Sequence, residues 1–155
     1  MTATPIRFLS LLLMALLVGT MFGIWLGFDP AALSASAFVE MQQNAIRALN
    51  MPLPILGAVC ILLTAAWAVQ TRNDRRGRGL LVAATLCLVA VGLITRFANQ
   101  PINAQVMTWS AQAPASDWAT LRDTWRHWHA LRTAVGVAAL VLALLAVLDR
   151  RRDAA

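Results

Sequence analysis

The chain has 155 residues, 59% of them hydrophobic and only 13% charged, a balance that excludes an ordinary soluble domain. Its net charge of +6 rests on 13 basic residues, all of them Arg. Eight of these fall in three short hydrophilic patches: Arg7, then Arg72, Arg75, Arg76 and Arg78, then Arg150, Arg151 and Arg152. Such placement orients a membrane protein and excludes a nucleic-acid partner.

Four apolar runs, at residues 6–28, 52–70, 79–98 and 131–148, are each long enough at about 1.5 Å per residue to cross an apolar slab of about 30 Å. They predict an all-α fold, a single domain over 1–155. It is a four-transmembrane-helix bundle with short amphipathic helices on the outer side. The excess of Arg expects both termini and the 71–78 loop in the cytoplasm of a multi-pass plasma (inner) membrane protein. Residues 31–51 and 99–130 then face outward. The first run also carries features of a secretory signal: Arg7, an apolar stretch, and Ala35-Ser36-Ala37 in the style of a cleavage site. Its length exceeds the usual signal core of about 7–15 residues, which favours a retained span.

Within that first span, Gly19, Gly23 and Gly27 form a small-residue stripe. The stripe expects close helix packing inside the bundle, with a homo-oligomer interface as the alternative. Asp29-Pro30 ends the helix. From Ser34 to Asn50 the pattern is amphipathic, with Ser34 or Ser36 as cap. Phe38, Val39, Met41, Ile46 and Leu49 form the apolar set of a helix at the outer surface or in the bundle mouth. Met51-Pro52-Leu53-Pro54 opens the second span, Pro being accepted in a first helical turn. Cys60 and Cys87, one in each of the middle spans and without a CxxC motif, are expected to act as small packing residues.

Arg96, Asn99 and Asn103 fall at i, i+3 and i+7, one face of the outer end of the third span. Pro101 between them loosens the helix and frees backbone carbonyls. After Gln105, Trp109 and a loop with Pro114, Ser116 or Asp117 can cap a helix that runs into the fourth span. On that helix Trp118, Arg122, Trp125, His129 and Arg132 share a sector of about 80°, with His127 and Asp123 opposite. The Trp residues and Arg are also what an interfacial belt uses. Against that, Arg96, His129 and Arg132 adjoin or enter apolar spans, where ionisable groups are expensive and face a bundle interior or a water-filled cavity. His127 and His129 point about 160° apart on a helix, so one metal ion cannot easily take both. No metal and no cofactor is expected.

Asn99-Gln-Pro101-Ile-Asn103, then Trp109, then Trp118-x3-Arg122-x2-Trp125-x3-His129-x2-Arg132, together with Phe38, Gln42, Gln43, Arg47, Asn50, Pro54 and Gly57, resemble the anthrone oxygenase-like membrane proteins. The resemblance implies a four-span bundle. For fungal members it also implies oxidation of a hydroxyanthrone to an anthraquinone by O2 without a known cofactor. It expects a pocket on the outer side for a hydrophobic aromatic small molecule. His129, with an unperturbed pKa near about 6.5, would take a proton from an acidic C–H. Arg122, Arg132 and Arg96 would hold the resulting anion. Trp118 and Trp125 would stack on the ring, Asn99 and Asn103 would orient its oxygens, and Gln43, Arg47 and Trp109 complete the substrate-binding set.

A second class competes. A non-catalytic membrane protein could bind a quinone, a lipid or a partner subunit at the same mouth, with Arg96 and Arg132 pairing with Glu40 and Asp123. Oxygen uptake with a hydroxyanthrone separates the two.

Overall fold

Prolines and short polar side chains set the helix ends. In the computed structural model, which describes residues 3–152, α1 (Ala3–Gly27) stops just short of Asp29-Pro30, and the Asp29 carboxylate accepts the Ala31 amide at 3.2 Å. The Ser34 hydroxyl caps α2 (Ala35–Leu49), accepting from the Ala37 amide at 3.3 Å. Pro52 opens α3 (Pro52–Gln70), and Asp74 caps α4 (Arg75–Ile94) by accepting from the Gly77 amide at 2.8 Å. A π-turn at Thr95–Asn99 leads into α5 (Gln100–Val106), and after a loop α6 (Trp118–Arg152) runs to the end of the described chain. The side chains of Arg150, Arg151 and Arg152, and both chain termini, lie outside the described residues.

Four helices are long and apolar enough to cross a membrane: Thr4–Ala32, Pro52–Gln70, Arg75–Val106 and Trp118–Leu148. The second matches the sequence reading residue for residue. The third and fourth are longer, because helical geometry continues past the apolar core into polar sequence. At 35 residues, α6 is about 50 Å long against an apolar slab of about 30 Å.

The four long helices form a ring in which α1 touches α3 and α6, and α4 touches the same two. Each neighbour runs antiparallel, so the arrangement is up-down-up-down. The 71–74 connection lies at one end, with Arg72 in it and Arg75, Arg76 and Arg78 in the first turn of α4, and α2 and α5 lie at the other. Trp67 and Ala68 of α3, Leu81 and Ala84 of α4, and Ala139, Ala143 and Ala146 of α6 fill the half nearer that connection. The alanines recur at helical spacing and let α4 approach α6 closely. Cys60 is buried in this core and Cys87 packs against it, both as free thiols.

Two sequence expectations are corrected here. Gly19, Gly23 and Gly27 are exposed, and a Cβ at any of them would meet nothing within 4 Å. The buried face of α1 is instead Met14, Leu17, Val18 and Met21, because large apolar side chains fill the ring centre better than glycine does. The close approach falls at Gly136 of α6, where an added Cβ would lie 2.7 Å from Met21 Cε. On α2, Met41 is exposed and Gln42 is buried, so the inward face is Phe38, Val39, Gln42 and Ile46.

Candidate functional site

Beneath α2 the ring is hollow. A cavity of about 490 Å³, within the range of about 300–1,000 Å³ that small-molecule sites occupy, receives residues from every helix. Its walls are mostly apolar: Leu17, Met21 and Ile24 from α1, Ile46 from α2, Ile61 from α3 and Val91 from α4. Two guanidinium groups, Arg96 and Arg132, interrupt them.

The π-turn places the first of these. Pro101 has no amide hydrogen, so the ordinary helical ladder cannot run through it, and the turn before it widens until the Gln100 amide bonds to the Thr95 carbonyl. The sequence face of Arg96, Asn99 and Asn103 is thereby split. Arg96 and Asn103 reach the cavity. Asn99 is fully buried behind it, donating to the Trp125 carbonyl at 3.2 Å.

Arg132 is held from two sides. Its Nε and Nη2 lie 3.1 and 2.8 Å from His129 Nδ1, and its Nη1 donates to Thr95 Oγ1 at 3.1 Å. Arginine only donates, so His129 Nδ1 must accept. The imidazole hydrogen then sits on Nε2, which is 3.1 Å from the Met21 carbonyl. His129 is 1% exposed and stacks on Trp125 with ring centres 4.9 Å apart and planes 2° from parallel. Each terminal nitrogen of Arg132 keeps a second N–H that no group among the described residues takes. Among the described residues neither Arg132 nor Arg96 has an acidic partner. The sequence pairing of these two with Glu40 and Asp123 is therefore corrected. Asp123 instead binds Arg122 at 2.8 Å, although helical projection placed the two apart, because the exposed Asp123 side chain turns toward the half-buried Arg122 in the outer part of α6.

A second network roofs the cavity. Trp125 Nε1 donates to Asn103 Oδ1 at 2.9 Å, Gln42 Nε2 approaches the same oxygen at 3.4 Å, and Asn103 Nδ2 donates to Asn50 Oδ1 at 3.2 Å. One side chain thus ties α2, α5 and α6 together. Gln43 secures α2 further by donating to the Val106 and Trp109 carbonyls at 3.0 and 2.9 Å.

Of the sequence-derived site residues, Arg96, Asn103, Trp125 and Arg132 line the cavity. His129 and Asn99 stand directly behind its wall. Arg122, Trp118, Trp109, Gln43 and Arg47 do not line it. Arg122 sits over the Trp118 ring at 4.9 Å, Trp118 lies 5.8 Å from Phe38, and Trp109 packs in the same cluster under α2. Arg47 is exposed and donates to Gln43. Gln42, Asn50, Thr95 and Gln100 line the cavity and were not singled out as site residues. A glutamine on the inward face of an amphipathic helix, between Phe38 and Ile46, was the available signal for Gln42.

The model of the anthrone oxygenase family matches residues 41–142, from α2 into the membrane part of α6. The chain belongs to the anthrone oxygenase family. No curated protein and no solved structure matches. All of the Arg132, His129 and Asn103 networks except the Met21 carbonyl lie inside the stretch matched to the anthrone oxygenases. Helix α1 lies outside it and closes one wall of the cavity.

Proposed function

We propose that the cavity binds an acidic polyphenolic aromatic of the hydroxyanthrone type and promotes its oxidation by O2 without a cofactor. The observation that supports this most is Arg132: a cation at the edge of an apolar cavity, held in place by His129 and Thr95, with free N–H groups and no acidic neighbour among the described residues. A fixed positive charge in a water-poor site stabilises an oxygen anion as it develops. Loss of a C–H proton from the ring CH2 to water at the mouth leaves a carbanion whose charge resides largely on a phenolate oxygen. That anion transfers an electron to O2, recombination forms a C–O bond as a hydroperoxide, and loss of water leaves the carbonyl. The CH2 group and O2 thus become C=O and H2O.

In this reading Arg132 and Arg96 hold the anion and Trp125 offers its ring edge and face. Asn103 fixes Trp125, and His129 is a positioning residue that aims Arg132. The lone pair that would make His129 a base is engaged by Arg132, and this favours a second reading in which the site holds a quinone or lipid without turning it over. The placement of Arg orients the cavity away from the cytoplasm of the plasma (inner) membrane. Purified protein in lipid vesicles should consume O2 in proportion to hydroxyanthrone oxidised, above the rate of empty vesicles. A rate equal to empty vesicles, with binding retained, would select the second reading.

A further inference from the structure

The walls of the cavity are unequally closed. Every lining residue from α1 and α6 is buried or half-buried. The exposed lining residues all belong to α2 and its end, α3, and the α4 segment with its π-turn, among them Met41, Pro54, Ala58, Gly92 and Arg96. The end of the bundle is roofed by Phe38, Val39, Gln42 and Ile46, each buried, with α2 fastened through Gln43 and Asn103. The roof narrows access along the bundle axis, and the exposed lining of α3 and α4 stands at the side of the bundle.

Helices α3 and α4 are joined at the Arg-rich end and packed there through Trp67, Ala68, Leu81 and Ala84. Further along, the cavity lies between them. Small residues stand at that level beside the larger Ile61, Leu88 and Val91: Gly57 and Ala58 on α3 and Gly92 on α4, where a Cβ would meet nothing within 4 Å. Ala58 lies about 9 Å along α3 from Pro52, and Gly92 about 10 Å along the chain from Asn99. In an apolar slab of about 30 Å, that depth is among lipid chains and below the headgroups. Arg96, exposed and without a partner among the described residues, stands nearer the surface on the same side.

We propose that the cavity opens sideways into the bilayer between α3 and α4, and that its ligand is a membrane-dissolved amphiphile with an apolar body and one acidic oxygen. The ligand passes Ala58 and Gly92, meets Arg96 at the rim and delivers its oxygen to Arg132. This rests on the reading of Arg132 as an anion site and is independent of whether the ligand is then oxidised. Ala58 and Gly92 act as size-determining residues for entry, since any larger side chain at either narrows the opening.

The test uses the full chain in phosphatidylcholine vesicles that contain an alkylphenol bearing a diazirine on its chain. After irradiation, adducts are mapped by mass spectrometry. Adducts should concentrate in residues 53–61 and 88–96, survive in Gly92→Ala, and be largely lost in Ala58→Phe/Gly92→Phe. Adducts spread evenly over the lipid-facing helices, or unchanged in the double variant with wild-type thermal stability, would overturn the proposal. A second measurement needs no variant. A sulfonated, bilayer-excluded phenol added outside the vesicles should fail to compete with the probe, and equal competition would show aqueous entry and overturn it. Localised adducts without oxygen uptake would leave this proposal standing and remove the oxygenase reading alone.

Discussion

Near the 71–74 connection, Trp67, Leu81, Ala84 and Ala143 close the space between the long helices. At the other end the same helices stand around a cavity of about 490 Å³ with an arginine that no carboxylate among the described residues balances. One end is packed as a stable interior must be, with large and small side chains interlocked and few voids. The other leaves contacts unmade and places a cation where charge is expensive. A bundle selected for stability alone would fill that space with leucine. The proposed function uses this contrast, with the Arg-rich end carrying the packing and the end under α2 receiving the ligand.

Variants can break this division. The largest effect on stability is expected for Trp67→Ala, which removes a fully buried indole at a cost of about 3–5 kcal/mol, read by thermal unfolding in detergent. At the hollow end, Arg132→Met should abolish ligand binding while costing much less stability than Trp67→Ala, because it removes a buried charge but leaves His129 Nδ1 and Thr95 Oγ1 without their donor. A fall comparable to that of Trp67→Ala would show that Arg132 is structural. Arg132→Lys should lower turnover by about 10²–10³, because the ammonium keeps the charge but loses the planar fork that bonds His129 and Thr95 together.

His129 sharpens the comparison further. His129→Gln retains an acceptor for Arg132 but cannot take up a proton, and it should keep most of the activity, whereas His129→Leu loses it. A loss of about 10²–10⁴ in His129→Gln would make His129 the general base after all. The smaller effects concern helix packing. Gly136→Leu drives a side chain into Met21 and Val18 and should cost about 1–3 kcal/mol. Gly23→Leu, facing outward, should stay within about 0.5 kcal/mol, and exposed His127→Ala should change neither stability nor activity.

The helices were legible because their signals are local. Asp29-Pro30, Ser34, Pro52 and the length of each apolar run depend on neighbours in sequence, and the chain follows them. Arg132 and Trp125 line the cavity, as the helical face they share suggested, although an interfacial belt uses the same residue types and the face alone does not separate the two uses. What failed was direction. The glycine stripe of α1 fits tight packing by its spacing, but which face of an apolar helix turns inward depends on the partner helices, and both faces are apolar. His129 was correctly placed beside Arg132, and its role still could not be read. Whether its lone pair meets the cavity or Arg132 depends on the Met21 carbonyl of α1, far away in sequence. The π-turn removed Asn99 from the face of Arg96 and Asn103, a change of register that a proline announces without specifying. Gln42 and Thr95 became cavity residues only once α2 and the π-turn were in place.

On the proposed reading, Arg132 holds an oxygen anion inside the hollow end. A hydroxyanthraquinone tests it directly, because ionisation of its phenol shifts its visible absorption to longer wavelength. With wild-type protein in lipid nanodiscs at neutral pH, the bound ligand should show the spectrum of the phenolate, and the Arg132→Gln variant, folded by the same thermal criterion, should not produce it. A bound ligand with the neutral spectrum in wild type, or the same shift in Arg132→Gln, would contradict the account.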